Sequence, residues 1–328
     1  MKPRVAIIVL TYNGIADTLA CLASLYRLDY PSERYAVVVV DNASHDGTPA
    51  QVRSAFPQTI VIENGANLGF AAGNNVGLRY AQTQGYDYAL LLNNDTEVAP
   101  DMLERLVATA ETDPPIAAVG PIIYYYDAPQ RIWSAGGSID WRRGICRMAG
   151  EAEDHGQYPA RVVDFITGCA MLIRVAALAK VGLLDERFFM YFEETEWCVR
   201  ATRAGYSCYF TPAAKVWHKI PLNARFDREY LAYYMTRNRL LFLRATRANW
   251  RTWLNALILQ DLRTYLSLWL RPKWRTRKGR IGMGLGWFDF WRGRFGAAPA
   301  PYHRQLELGN HRSDARSSSK DTLYANRT

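Results

Sequence analysis

Val5-Ala-Ile-Ile-Val-Leu-Thr-Tyr-Asn-Gly14 opens the chain with an unbroken apolar run that passes straight into a polar turn closed by glycine. An apolar run without alternation suits a strand covered on both faces, as in a parallel sheet. The same signal returns at residues 36–40, 60–63, 88–92 and 117–123. Between the first two runs, Ile15, Leu19, Leu22, Leu25 and Tyr26 share one helical face, and Met102, Leu103, Leu106 and Val107 repeat that spacing before the fifth. Alternating strands and helices predict right-handed βαβ units. The fold class is therefore α/β, with a Rossmann-like, mostly parallel sheet flanked by helices.

The 328 residues are enough for one large α/β domain and an appendage, and 49% hydrophobic residues exclude wholesale disorder. A net charge of +9 points to anionic partners, whether phosphates, nucleic acid or anionic lipid, without choosing among them. Cys21, Cys146, Cys169, Cys198 and Cys208 are odd in number and form no CxxC pair, so they read as buried reduced thiols rather than a disulfide framework or a zinc site. The basic start resembles a signal peptide, but the apolar run is short and no small-residue cleavage site follows. No window approaches the ~18 continuous apolar residues of a spanning helix. The expected location is cytoplasmic.

Residues 126–165 lack periodicity and are expected to form an excursion over the sheet; a strand returns at 170–174 and a helix at 195–203. From about Arg225 to Arg294, sixteen Lys and Arg face four Asp and Glu. That excess of twelve is larger than the charge of the whole chain, so the remainder is slightly acidic. The expected division is 1–224, a basic Trp-rich helical extension over 225–296, and a polar tail without fixed structure over 297–328.

In doubly wound sheets, ligands bind beyond the carboxyl ends of the strands. The first strand is followed by Thr11, Tyr12, Asn13 and Gly14, and the second by Asp41, Asn42, Ala43, Ser44, His45, Asp46 and Gly47. The third leads into Asn67-Leu-Gly-Phe-Ala-Ala-Gly-Asn-Asn75 and the fourth into Asn93-Asn94-Asp95. No GxGxxG follows the first strand and no GxxxxGK[ST] occurs, which disfavours a dinucleotide site and a P-loop. Asp41 is placed to accept hydrogen bonds from a base or ribose, or else caps a turn with Asp46-Gly47. Gly69 and Gly73 leave room for a ligand to approach the backbone. Asp95 is the carboxylate at the fourth strand end, suited to a divalent cation on a pyrophosphate. His218 either completes that metal site or is simply packed. Glu193-Glu194-Thr195-Glu196 follows the run Phe188-Phe-Met-Tyr-Phe192 and opens a helix. Acids there suit the helix dipole. Three carboxylates beside an apolar wall also push one of them upward, as a general base requires.

In order and spacing, these segments resemble glycosyltransferase family 2, in particular bacterial rhamnosyltransferase-like members. The match runs over about residues 4–245, through Val9-Leu-Thr-Tyr-Asn-Gly14, Val40-Asp-Asn-Ala-Ser-His-Asp-Gly47, Leu91-Leu-Asn-Asn-Asp-Thr-Glu97, Phe165-Ile-Thr-Gly-Cys-Ala170 and Leu184-Asp-Glu-Arg-Phe-Phe-Met-Tyr-Phe-Glu-Glu-Thr-Glu-Trp-Cys198. The resemblance implies a GT-A fold with a nucleotide-binding half over 1–125 and an acceptor half over 126–224. It implies that Thr11, Asn13, Asp41, Asn67, Gly73 and Asn94 hold the nucleotide. Asp95, with His218, would bind Mg²⁺ or Mn²⁺ as the last residue of a DxD-type motif whose first position here is Asn93. Glu194 falls where the family usually has its Asp base, with Glu193 beside it and Asp185 and Glu196 on the acceptor side. The implied reaction is a single inverting displacement. A dTDP- or UDP-sugar, with dTDP-rhamnose the first candidate, would react with a glycan or polyprenyl-diphosphate-linked acceptor in polysaccharide assembly.

Four rival readings remain: a nucleotide-sugar pyrophosphorylase, a degenerate GT-A protein that binds nucleotide sugars or polyanions, a nucleic-acid binder using the Arg- and Trp-rich stretch after Trp269, and a processive synthase. Residues 11–15 hold no Lys or Arg for a triphosphate, the acidic site opposes a polyanion groove, and QxxRW and spanning helices are missing from the sequence. Nucleic acid is not expected as a partner; a second copy of the chain is the other candidate partner. In the extension, Leu254, Leu257, Ile258, Leu262, Tyr265, Leu266 and Trp269 follow helical spacing, interrupted by Asp261 and Arg263 and rimmed by Arg247, Arg251, Arg271, Lys273, Arg275, Arg277 and Lys278. With Trp250, Trp253, Trp274, Trp287 and Trp291, this predicts an interfacial helix on anionic lipid, peripheral on the cytoplasmic face of the inner membrane. A helical cap on the catalytic domain is the alternative.

Overall fold

β1 (Val5–Thr11), β2 (Tyr35–Asp41), β3 (Ile60–Glu63) and β4 (Tyr88–Asn93) form a parallel sheet in the order β3-β2-β1-β4. In this computed structural model, residues 1–220, 229–269 and 273–299 are described, with backbone alone for 268, 269 and 273–278. Val5 to Val9 are wholly buried. Successive side chains of a strand point to opposite faces. Val5, Ile7 and Val9 accordingly enter one core with Cys21, Leu22 and Leu25 of α1 (Ile15–Leu25), while Ala6 and Ile8 enter the other. α2 (Thr48–Ala55) links β2 to β3, and α3 (Gly69–Thr83) covers the Ala6–Ile8 face. α3 lies close because it presents glycines there. A Cβ on Gly73 would stand 2.5 Å from Leu10 Cδ1, and one on Gly77 would strike Ile8.

Beyond β4 the sheet becomes mixed. β5 (Thr96–Val98), α4 (Met102–Ala110) and β6 (Ile116–Tyr125) follow in sequence, and the predicted excursion contains β7 (Ala128–Ser134), the hairpin of β8 (Gly137–Asp140) and β9 (Ile145–Met148), and β10 (Arg161–Val163). β11 (Ala170–Arg174) then inserts antiparallel between β4 and β6. α5 (Val175–Val181) and α6 (Glu193–Arg203) lead to β12 (Ser207–His218), which runs parallel to β6 and antiparallel to β5 and β10. The full order is β10-β12-β6-β11-β4-β1-β2-β3. Met102, Leu103, Leu106 and Val107 of α4 join the Val5 face, as their spacing predicts. The cysteines are free; Cys146 is partly exposed and the other four are buried.

The C-terminal helices are stitched to this body. α7 (Glu229–Ala245) is largely buried and packs on α10 (Lys273–Trp291). A Cβ on Gly286 of α10 would lie 2.6 Å from Tyr233 O, and one on Gly282 would strike Glu229 O, so the two backbones nearly touch. α8 (Trp250–Asn255), a π-helical stretch Ala256–Leu262 and α9 (Arg263–Trp269) form the span expected to carry an apolar face. Asp261, read from the sequence as interrupting that face, instead turns inward. It is 7% exposed, pairs with Arg239 and accepts from Trp287 Nε1 at 3.1 Å. The boundary at 224/225, the side chains of Trp269, Arg271, Lys273, Trp274, Arg275, Arg277 and Lys278, and most of the 297–328 tail lie outside the described residues. Within that tail, Ala298 is buried and its amide donates to Tyr234 Oη at 2.7 Å, so packing extends past the predicted boundary.

Candidate active site

The strand-end loops are tied to one another. Asn13, at φ 51°, donates its amide to Ser44 Oγ at 2.9 Å and accepts from the His45 amide at 2.7 Å. Ser44 gives both its amide and its hydroxyl to Asp41, at 2.9 and 2.5 Å. The Asn94 amide group reaches Thr18 Oγ1 at 3.0 Å and Thr11 Oγ1 at 3.3 Å. Asn67 Oδ1 accepts from the Gly69 amide at 2.9 Å. These contacts give the residues expected to hold the nucleotide a part in ordering the loops. Thr11 and Asp41 are each 1% exposed, and both Asp41 oxygens serve the loop turn. The Cβ side of Gly73 faces Leu10 and Asn42, and that of Gly69 faces the Phe189 ring, so both glycines permit close packing there. The side chains of this set shape the loops, with His45 exposed and Tyr12 half-buried at the rim.

Asp95 and His218 meet because β5 carries Thr96 into register with His218 on β12, one residue after Asp95. Asp95 Oδ1 and His218 Nε2 form an ion-pair contact at 3.1 Å, and the Cys169 sulfur meets the same imidazole. The Asp95 side chain keeps 36% of its surface although Oδ1 is enclosed, so the rest of the carboxylate faces outward. Burial alone would raise the Asp95 carboxyl, but the adjacent His218 imidazole brings it below the ordinary value. For His218, burial works against the charged form, and the Cys169 sulfur and the Asp95 carboxylate outweigh it, holding the imidazole well above its usual range. The pocket thus favours positive charge between two converging donor atoms. Lys219, which the sequence reading passed over, adds to that charge. Its Nζ lies 3.3 Å from Asp17 and 3.2 Å from Glu97, and its amide donates to Asp95 O at 2.9 Å. Its adjacency to His218 was the available signal.

The acidic cluster separates into distinct roles. Glu196, expected on the acceptor side, is 3% exposed and holds Arg200 Nε at 2.9 Å, while Arg200 reaches Leu183 O at 2.8 Å and Val181 O. It is a structural ion pair. Asp185, also expected there, accepts from the Arg187 amide at 3.1 Å and side chain at 2.6 Å, capping a short turn at Glu186–Phe188. Glu193 and Glu194 remain. Burial raises the Glu193 carboxyl well above its usual value, and the neighbouring Glu194 charge adds to this. Its Oε2 is buried with no partner among the described residues. Burial also raises Glu194, against the hydroxyl of Thr195, which donates to it at 3.0 Å. The segment before β11 joins the two halves of the site. A Cβ on Gly168 would lie 3.8 Å from Glu194 Cβ, and the next residue, Cys169, is the sulfur beside His218.

The raised Glu193 carboxyl has a stability consequence. Its pKa is higher folded than unfolded, so its stabilising contribution is full at acid pH and is lost as pH rises through the raised value. Glu193→Gln mimics the neutral form. The variant should melt above wild type at pH 8, and the gap should close toward pH 4. About 1 kcal/mol moves the midpoint of a protein this size by roughly 2–4 °C. Thermal unfolding across pH checks this, and a variant less stable at pH 8 would contradict it.

Residues 6–182 match Glycosyl transferase family 2, a span that ends before Glu193. The chain is 28% identical over 239 residues to the N-acetylglucosaminyl-diphospho-decaprenol L-rhamnosyltransferase of Mycobacterium tuberculosis (strain ATCC 25618 / H37Rv), covering 66% of this chain and 76% of that one. It is 24% identical over 252 residues to the dTDP-rhamnosyl transferase RfbF of Shigella flexneri, covering 74% and 81%. Among solved structures, the mannosyltransferase PcManGT from Pyrobaculum calidifontis in complex with GDP-Man and Mn²⁺ superposes with a TM-score of 0.57 at 19% identity, over 94% of this chain and 80% of that one. GalNAc-T7 with UDP, GalNAc and Mn²⁺ gives 0.58 at 15%, over 74% of this chain and 48% of that longer one. Together with the sheet order and the strand-end loops, these likenesses establish that the chain belongs to glycosyl transferase family 2 and is a glycosyltransferase of GT-A fold.

Proposed function

We propose that the chain moves a sugar, with inversion, from a nucleoside diphosphate to a glycan or polyprenyl-diphosphate-linked glycan of a cell-surface polysaccharide. dTDP-rhamnose is the first candidate donor, and UDP-sugars are the second. The observation that carries this reading is the juxtaposition across Gly168 and Cys169: a raised carboxylate, Glu194, on one side and the converging Asp95–His218 pair on the other. The donor set fits a divalent cation through the outward-facing part of the Asp95 carboxylate, while His218, paired with Asp95 at 3.1 Å, would join it only by giving up its proton. A cation held there would neutralise a leaving diphosphate. Glu194 takes the acceptor hydroxyl proton as the oxygen attacks the anomeric carbon opposite the diphosphate; that carbon–oxygen bond breaks, and its electron pair leaves on the phosphate oxygen. Glu193, kept neutral, leaves Glu194 as the charged member. The similarity to two rhamnosyltransferases supports the donor choice, and the lipid-diphosphate substrate in the name of one supports the acceptor class. The test is a panel of nucleotide sugars with an undecaprenyl-diphosphate-linked acceptor and Mn²⁺, with the product linkage read by NMR. Inversion, giving an α-linked product from β-linked dTDP-rhamnose, is expected, and a retained configuration sinks the mechanism.

The extension supports placement at a membrane surface. Trp250, Leu254, Ile258, Leu259, Leu262 and Leu266 are each at least 49% exposed, and the inward turn of Asp261 removes the one acid from that face. Among the described residues, no helix is long and apolar enough to cross a bilayer. An exposed apolar face in an arginine-rich segment matches anionic headgroups, at about 1 kcal/mol for each nearby basic residue. Full-length protein should float with anionic liposomes at low salt and fail to do so with zwitterionic ones. Leu259→Glu with Leu262→Glu should abolish flotation while leaving transfer to a water-soluble acceptor intact. Equal flotation on both lipids would argue against the reading.

A further inference from the structure

Glu193 and Glu194 are preceded by a backbone that should not hold its shape unaided. Phe189, Tyr191 and Phe192 have φ of 66°, 68° and 76°. Residues with a Cβ enter this region at about 1–3 kcal/mol each, and persist there only when their surroundings over-determine them. α6 begins directly after Phe192, so the direction in which Glu193 and Glu194 leave the chain is set by this turn.

One helix supplies the constraint. Asn238 of α7 is fully buried, and its Nδ2 lies 2.8 Å from Phe188 O, 2.6 Å from Met190 O and 3.1 Å from Tyr191 O. Its Oδ1 accepts from Arg237 Nε at 2.9 Å, which fixes the orientation of the amide: three carbonyls on one side, a guanidinium on the other. Arg237, also fully buried, donates to Phe188 O at 3.1 Å and Gly296 O at 2.7 Å and lies over the rings of Tyr233 and Tyr234. From the other side, the α3 amides of Phe70 and Ala71 converge on Phe189 O at 2.6 and 3.1 Å. An amide and a guanidinium, both out of water, are therefore spent on the carbonyls of one strained turn. Apolar residues in that space would take these donors away from the carbonyls of Phe188, Met190 and Tyr191, so the polar groups are what lets the turn keep this shape.

We propose that Asn238, braced by Arg237, is a positioning residue of the transfer reaction: it holds 188–192 in its left-handed form and so aims Glu194 into the cleft. The inference rests on Glu194 being the base. It gives the C-terminal helices a part in chemistry that the family match, ending at residue 182, does not include.

The test compares full-length wild type with Asn238→Ala, the isosteric Asn238→Asp and Arg237→Lys. Three quantities are measured: kcat for transfer, donor affinity by calorimetry, and hydrogen exchange of the 186–196 peptide. Asn238→Ala should lower kcat roughly ten- to hundredfold, the scale of a misplaced catalytic group, with donor affinity unchanged and faster exchange confined to that peptide. Adding Tyr191→Gly should recover part of the loss, because glycine takes a positive φ without strain. Trp287→Phe, which loses the indole bond to Asp261 at 3.1 Å in the same helical extension, should leave kcat alone. Full kcat in Asn238→Ala, joint collapse of kcat and donor affinity, or failure of all three variants to fold would overturn the proposal. Glu194→Gln is run alongside: if it transfers normally, the base reading has failed, and the exchange data still decide whether Asn238 holds the turn.

Discussion

Glu194→Gln should lose transfer by ~10²–10⁴-fold, the usual cost of removing a general base, while still binding the donor. The substitution keeps the shape of the side chain and its bond from the Thr195 hydroxyl, so a folding defect is not the expected cause. The pH profile gives an independent reading. Burial raises the Glu194 carboxyl above its usual value, and the reactive form is the carboxylate. Wild-type kcat should therefore fall as pH drops through that raised value, at a higher pH than a solvated glutamate would give. The variant should lose that limb. Glu196→Gln is the informative comparison. It removes the charge facing Arg200 and one of its two acceptor oxygens, so it should cost stability, about 1–3 kcal/mol for a charged hydrogen bond, and leave the chemistry in place. Initial rates with stopped and continuous assays across pH 4 to 9 check all three statements. An inactive Glu196→Gln beside an active Glu194→Gln would move the base along the helix.

The division between what the sequence reveals and what it hides follows from the range of the interactions. β1 to β4 were legible because each buries a short apolar run on both faces, a local signal that survives without a partner. Asp95, His218 and the Glu193–Glu194 pair were legible as residue types at strand and helix ends. Their separation into roles was not. Glu196 and Asp185 look as chemical as Glu194 in one dimension, and only the fold shows that Arg200 and Arg187 pair with them. The insertion of β11 antiparallel between β4 and β6 is likewise a long-range choice with no local marker. Thr11, Asp41 and Gly73 are read as ligand contacts because such positions lie near ligands in this fold; that the Thr11 and Asp41 side chains also bond α1 and the loop after β2, and that Gly73 lets α3 approach β1, has no local marker. Asn238 and Arg237 sit in a polar stretch, Thr236–Arg239, of a helix that is largely buried. Their partners are backbone carbonyls about fifty residues away, which no side-chain pattern encodes.

Asp95→Ala should reduce transfer by several orders of magnitude while the protein still folds. The side chain is 36% exposed and its ion pair among the described residues is with His218 at 3.1 Å, so its removal takes little packing with it. Its loss also leaves His218 without the carboxylate that helps hold the imidazole well above its usual value, so the buried imidazole should be neutral in the variant and some stability should be lost. The chemistry should not survive, because a diphosphate leaving group carries charge that a lone buried histidine and Lys219, already engaged by Asp17 and Glu97, are poorly placed to balance. Binding separates this account from a merely structural one. In wild type, the affinity for a nucleoside diphosphate should rise on adding Mn²⁺ and fall in EDTA; in Asp95→Ala, calorimetry should find the same weak affinity with and without the ion. His218→Ala should behave in the same direction with a smaller loss, since the carboxylate and the phosphates still supply oxygen ligands, the kind that Mg²⁺ and Mn²⁺ prefer. Full wild-type activity in excess chelator would remove the cation from the reaction, and the Asp95–His218 contact would then be an ion pair that orders β5 against β12.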